Sequence, residues 1–499
     1  MSNAPTNSLS TCIVALAFAG IALAYAGDAD ATSTRGGEES ERSDDAIAEA
    51  LYLEFLDHGG IPADEIDVDV EDGVVSLSGD VPHALAHDEV LQLTRHTRGV
   101  RALVDRLDVR TPVVEDERIV QHVTAALLAD PRIRLGRFTV EAEDGRVEVR
   151  GEVASRAHGD LVLDVVRGIR GVARVVDRLA LEASPDRSAE VMRSEIRARI
   201  EDDVVLSARE LSVDVGASGG VTLRGAVNGL GERDRAEDLA WVRGVESVSA
   251  EEVTIDPEID TELRATTPDR SDAQIRRAAE DALRDDPRVG PPYPNVRVDQ
   301  STITLSGNML TLAARDAALD DAQRVVGGGL VVDSMTVVPR DDLEPADVED
   351  EVRDALARNA WLADDTLQVR MTAGRANLYG RVDSRLERVW AGRVARGFQG
   401  VVDVENHLAV PEASIVDASD EELADAIRAQ WLWSTDILSD DSLEVEVRAG
   451  VAILTGYASS VHERRAAAAE ARQTDVVGVI NDIVIGVVPR APVIDVQGD

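Results

Sequence analysis

The sequence predicts an α+β protein built from six tandem small αββαβ modules, each a three-stranded sheet with two helices on one face. Three observations predict it. A short alternating segment ending in glycine recurs as GVVSLSG at Gly79, GRVEVRG at Gly151, GVTLRG at Gly225, STITLSG at Gly307, RANLYG at Gly380 and VAILTG at Gly456, at spacings of 72, 74, 82, 73 and 76 residues. A second marked position follows 19 or 20 residues later, occupied by Gly99, Gly171, Gly244, Gly327 and Gly400, with Asp475 in the sixth copy. Around each segment the hydrophobic period switches between that of a helix and that of a strand in the same order.

The first copy justifies each element. DDAIAEALYLEFL places Ile47, Leu51 and Phe55 on one helical face, with Asp44 or Asp45 available as N-cap. IDVDV and VVSLSG alternate and are separated by Glu71-Asp72-Gly73, the chemistry of a β-hairpin turn. ALAHDEVLQLTRHT reads as a second helix that stops at Gly99, where a left-handed residue is favoured, and ALVDRLDV alternates again as the third strand. The second helices of the later copies read RAHGDLVLDVVRGIR, GERDRAEDLAWVR, LTLAARDAALDDAQRVV, SRLERVWAGRVARGF and SVHERRAAAAEARQT. The expected modules span residues 43–110, 115–183, 187–256, 271–339, 346–411 and 419–489, with linkers at 27–42 and 257–270 and a tail at 490–499. They are read as separate modules joined by linkers, with docking of neighbours left open because a unit of this size is only marginally stable alone.

Composition narrows the function classes. The formal charge is −43, from 95 acidic against 52 basic residues, and every basic residue is arginine. Nucleic acid is excluded as a partner, because phosphate neutralisation needs clustered positive charge and the modules carry no basic run. So much carboxylate opposes compaction at ordinary ionic strength and is tolerated in molar salt, which points to a salt-loving bacterium; a high-GC genome that uses arginine for lysine is the other reading. The single cysteine, Cys12, leaves the modules without disulfides or thiolate metal sites.

Residues 12–26, CIVALAFAGIALAYA, form an apolar run of 15, short of the ~20 that a spanning helix needs. The run ends in Ala24-Tyr25-Ala26 and is followed by an acidic polar stretch, so residues 1–26 read as a signal peptide cleaved after Ala26. No basic residue precedes it, which keeps an uncleaved anchor as the alternative.

With the two glycine positions in register through six copies, the chain resembles the BON family, named for bacterial osmotically inducible and nodulation proteins. The family's marks are a glycine after the second strand and a Gly-Val turn before the last, found here at Gly79 with Gly99-Val100, Gly151 with Gly171-Val172, Gly225 with Gly244-Val245, and Gly380 with Gly400-Val401. Gly307 with Gly327-Gly328 and Gly456 with Asp475-Val476 depart from it. The resemblance implies a periplasmic or envelope location, association with phospholipid surfaces or envelope proteins, a role in osmotic stress and envelope integrity, and no enzymatic activity.

Candidate sites are few. The eleven repeat glycines are read as structural, serving positive φ or close backbone approach. His83 and His87, spaced i, i+4 beside Asp88 and Glu89, are read as a solvated helix face in preference to a metal site. Asp202-Asp203, Asp285-Asp286, Asp364-Asp365 and Asp440-Asp441 are the pairs expected of so acidic a chain. No EF-hand loop, GxSxG, HExxH or P-loop is present, so no catalytic residue, metal, cofactor or small-molecule substrate is expected. Trp433 is the one candidate lipid or partner contact: Leu423, Ile427 and Trp431 form the core stripe of the last module's first helix, and Trp433 faces solvent if that helix continues, or packs in the following loop if it ends.

Overall fold

In the computed structural model, the described residues are 43–485 apart from residues 59, 134–136, 183–186, 208, 257–258, 260–269, 339–342, 363–366, 411–417, 438–441 and 475. The apolar run with Cys12 and the cleavage position after Ala26, Asp364-Asp365, Asp440-Asp441, Asp475 and the C-terminal tail therefore lie outside the described residues.

Module 1 shows how the sequence makes the fold. The stripe of Ile47, Leu51 and Phe55 gives helix α1 (Asp44–Asp57), and all three side chains are buried. Strands β1 (Ile66–Glu71) and β2 (Val74–Val81) form an antiparallel hairpin in which Glu71 opposes Val74. Its two turn residues, Asp72 and Gly73, both have positive φ, as a tight hairpin turn requires. Asp44 is not an N-cap: it is the first residue of α1, and its carboxylate accepts hydrogen bonds from the Asp72 and Gly73 amides at 2.8 and 2.9 Å, tying the helix start to the turn. Helix α2 (Ala84–His96) carries the chain back over the sheet, and β3 (Ala102–Val109) pairs parallel to β2. The sheet order is thus β1-β2-β3. Val75, Leu77 and Val81 point from β2 toward the helices. Each such side chain contributes ~1.5–3 kcal/mol by leaving water.

The plan repeats. Module 2 holds α3 (Asp116–Ala129) and α4 (Arg156–Arg167), module 3 α5 (Ala189–Asp202) and α6 (Leu230–Ala240), and module 4 α7 (Asp272–Asp285) and α8 (Leu312–Gln323). Module 5 holds α9 (Pro345–Arg358) and α10 (Arg385–Arg396), and module 6 α11 (Asp420–Trp433) and α12 (Val461–Gln473). The Asp44 contact recurs with Asp272 and Asp420, each accepting from two amides of its own hairpin turn, and with Asp116, which accepts from the Asp144 amide. In module 6 the third strand is split into Gly478–Asn481 and Val484–Ile485, both paired with Val451–Ala458. The Asn481 side chain accepts from the Ile483 amide at the break.

The modules are not separate. The second helix of module 1 ends at His96, short of Gly99, because Thr97 is extended and makes an antiparallel bridge to Ser434 of module 6. Two amides complete that joint: Arg98 donates to the Trp433 carbonyl at 2.9 Å and Thr435 to the His96 carbonyl at 3.1 Å. Arg170 donates to Arg358 and Ala360 to Gly168, both at 2.9 Å, joining modules 2 and 5; Val204 donates to Arg324 at 2.8 Å and Val326 to Asp202 at 3.0 Å, joining modules 3 and 4. The pairing is nested, 1 with 6, 2 with 5 and 3 with 4. Each joint sets the end of one module's second helix against the end of another's first, so carbonyls left over at helix ends find amide partners across it. The described residues from Asp44 onward form one compact unit, and one hydrophobic cluster runs through modules 1, 4 and 5 and takes in Leu230 of module 3.

Candidate functional site

The sheets carry the helices on one face, and the second helices of different modules meet. In the first half α2 touches α4 and α6; in the second half α8 touches α10 and α12. An arginine–aspartate pair accompanies each contact: Arg167–Asp88 at 2.8 Å, Arg95–Asp234 at 3.4 Å, Arg396–Asp316 at 2.7 Å and Arg465–Asp320 at 2.9 Å. Helices α2 and α8 are therefore hubs of two similar halves. Exposed pairs of this kind add little stability and mainly fix which faces meet.

Between these helices lies a chamber of about 1200 Å³, walled by α2, α4, α6 and α10 together with the helix ends near Arg132, Arg324 and Arg358. Its lining is mixed in charge. Burial raises the pKa of Asp160, Asp164 and Glu237, and raises that of Asp238 to about 6, against the pull of nearby arginines and with added repulsion from neighbouring carboxylates. Asp238 still reaches solvent within the chamber, which screens that repulsion. Burial lowers the pKa of the Arg324 and Arg358 guanidiniums. Arg393 lies over the Trp390 ring, 5.4 Å from its centroid. Among the described residues no group of three or more His, Cys, Asp or Glu side chains is placed to hold a metal ion.

The structure relocates several residues singled out in the sequence. Ten of the eleven repeat glycines have φ between +78° and +139°, the exception being Gly151. At Gly79, with φ of +119°, an added Cβ would sit 2.0 Å from the Glu65 carbonyl oxygen, so the hairpin admits no side chain there. His83 is not on a solvated face. It is the N-cap of α2, its Nδ1 accepting from the Ala86 amide at 3.0 Å, and its ring meets Trp361 of module 5 edge-on at 4.4 Å. Burial lowers its pKa to about 4. His87 behaves differently, hydrogen-bonded to Asp105 at 2.9 Å, with its pKa raised chiefly by its hydrogen bond to Asp88.

Trp433 is likewise not the outward-facing residue that a continued helix would make it. Helix α11 ends there, Ser434 turns extended into the joint, and the half-buried indole packs against the cluster shared by modules 1, 4 and 5. Trp431 is buried as its stripe predicts, and its indole N–H donates to the Ala467 carbonyl at 3.0 Å. Of the acidic pairs, Asp203 and Asp286 accept from backbone amides just beyond them, while Asp202 and Asp285 reach across the 3–4 joint to Arg270 and Arg199. Exposed apolar side chains gather instead around the second and third strands of modules 4 and 6. In module 4, Val332 lies on the third strand, Leu330 and Val338 flank it and Leu310 follows the second strand; in module 6, Ile480 and Val484 lie on the third strand, Val477, 82% exposed, precedes it and Tyr457 lies on the second. The sequence reading missed these edges because their residues alternate as any half-buried strand does.

Comparison with protein families finds six domains where the six modules lie. Residues 43–111, 115–183, 188–257, 271–339, 345–412 and 419–487 each match the BON domain. Osmotically-inducible protein Y of Escherichia coli (strain K12) is 29% identical over 143 residues, which cover 27% of this chain and 71% of that protein. Among solved structures, CdsD, a structural protein of the Type III secretion system of Chlamydia trachomatis, aligns over 44% of this chain and 97% of its own at 15% identity and a TM-score of 0.13. Its C-terminal domain aligns over 60% and 99% at 12% identity and a TM-score of 0.12. Six matches in register, spanning nearly all of the described residues, identify the chain as a member of the BON domain family.

Proposed function

We propose that this chain is a non-enzymatic scaffold of the bacterial envelope, exported to the periplasm and acting in osmotic or envelope stress, that meets phospholipid surfaces or envelope proteins through exposed sheet edges. The observation that carries the reading is the gathering of exposed apolar side chains around the second and third strands of modules 4 and 6. Ile480 lies opposite Ile453 and Val484 opposite Tyr457, on the side of the sheet away from the buried Ala452 and Leu454. Joints that hold six modules in one unit favour two such edges acting together, which raises avidity without any new contact. The similarity to an osmotically inducible protein supports the stress context. The charge of −43 favours a second reading, a soluble acidic stress protein with a chaperone-like holding role and no membrane site.

Co-sedimentation of the chain beginning at Gly27 with neutral and anionic phospholipid vesicles, from 0.1 to 3 M salt, separates the two. The scaffold reading expects binding to neutral vesicles that persists in high salt and falls at least about tenfold in an Ile480→Asp, Val484→Asp variant, since each loses roughly 1.5 kcal/mol or more of apolar transfer. Absence of binding to every vesicle at every salt concentration would leave the soluble reading.

A further inference from the structure

Each joint sets the end of a first helix against the end of a second, and the first-helix ends share one course. Their cap residues Asp130, Asp203, Asp286, Asn359 and Ser434 are all extended. Each cap side chain accepts from the amide two positions on, that of Arg132, Val205, Arg288, Trp361 and Asp436 in turn, at 2.7 to 3.3 Å. What differs is the residue in between. In modules 3, 5 and 6 it is Val204, Ala360 and Thr435, whose amides cross to the carbonyls of Arg324, Gly168 and His96 at 2.8, 2.9 and 3.1 Å. In modules 2 and 4 it is Pro131 and Pro287, which have no amide hydrogen to give. Those two modules join their partners through the ends of their second helices. The matching residue of module 1, Gly59, lies outside the described residues.

We propose that this one position is the pairing determinant of a module–module docking surface: an amide there lets a first-helix end take the second-helix end of another BON domain, and a proline bars it. A proline ring sets carbon where the amide hydrogen would point and leaves the facing carbonyl unpaired. Pro131 matters most, because modules 2 and 5 have ends that suit pairing in either sense. The second helix of module 5 runs into Gly397-Phe398-Gln399-Gly400, as that of module 2 runs into Gly168-Ile169-Arg170-Gly171. Ala129 and Asp130 line the chamber, and so do Gly397 and Phe398, so the ends that the reverse pairing needs face the same space. With Pro131 in place only Ala360 donates, one sense is made, and the other two ends remain as chamber wall. Pro287 in the same way leaves module 4 its second-helix end, which takes module 3.

Amide hydrogen exchange of the full chain tests the rule in both directions. The extended caps at Asn359 and Asp203 suit a following proline, so Ala360→Pro and Val204→Pro change the joint and leave the turn. Ala360→Pro should speed exchange of the Arg170 amide by about tenfold or more, because the Gly168 carbonyl loses its partner, while Val204 and Val326 keep their protection. Val204→Pro should do the same to Val326 and spare Arg170. Should one of these variants not fold, the other decides. Adding Pro131→Ala to Ala360→Pro should give a protected amide at position 131, as the pair forms in its reverse sense. Unchanged protection of Arg170 or Val326 would overturn the proposal, as would an unprotected amide at position 131 in the double variant. Loss of protection in strand Arg375–Tyr379 along with Arg170 would place position 360 in module 5's own fold and overturn it too.

Discussion

His83 shows how a residue's neighbours decide its chemistry. Its position before the apolar stripe of α2 permits a cap, and its imidazole supplies the acceptor for the Ala86 amide, but the Trp361 ring that removes its water comes from module 5, far away in sequence. With its pKa lowered to about 4, His83 stays neutral in the folded chain, while in the unfolded chain it takes up a proton below about 6.5. Its contribution is therefore complete above pH 6.5 and lost as pH falls toward 4, with a ceiling of about 3 kcal/mol. Denaturation followed by exchange of the α2 amides should show this loss in the wild type and a flatter profile in His83→Asn, which keeps a capping side chain. Equal profiles would remove the histidine from the account.

Among elements, the helix ends carry the information that the local pattern lacks. The α11 stripe of Leu423, Ile427 and Trp431 is legible in the sequence because burial follows the helical period. The end of α11 at Trp433 is not, because the Trp433 carbonyl and the Thr435 amide after it find hydrogen-bond partners in Arg98 and His96, which belong to another module. Truncating the indole with Trp433→Ala should loosen the 1–6 joint by about 1–3 kcal/mol. The exchange of the Arg98 and Thr435 amides would speed accordingly, while the sheet of module 6 stays protected. If the whole of module 6 lost protection together, the indole would belong to that module's core and not to the joint. The repeat glycines were legible for the opposite reason: a positive φ is a local backbone demand, and its requirement is written at the position that meets it.

At the scale of the whole chain, attraction between modules works against a net charge of −43. The arginine–aspartate pairs between second helices are largely solvated and weak, whereas the repulsion is summed over the entire surface. Raising salt from 0.1 to 2 M should therefore raise Tm, each kcal/mol of relieved repulsion appearing as roughly 2 °C in a scanning calorimeter. A fall in Tm over the same range would mean that the ion pairs at the α2 and α8 hubs outweigh the global repulsion. The sequence by itself determined the module, its six-fold repetition, the order of its elements and the buried first-helix stripes of the first and last modules, because those depend on periodicity and turn chemistry within about 70 residues. Only the tertiary structure decided the nested pairing of modules, the chamber between their second helices and the burial of His83, because each depends on which of six similar surfaces meet, and a repeated local pattern does not specify its partner.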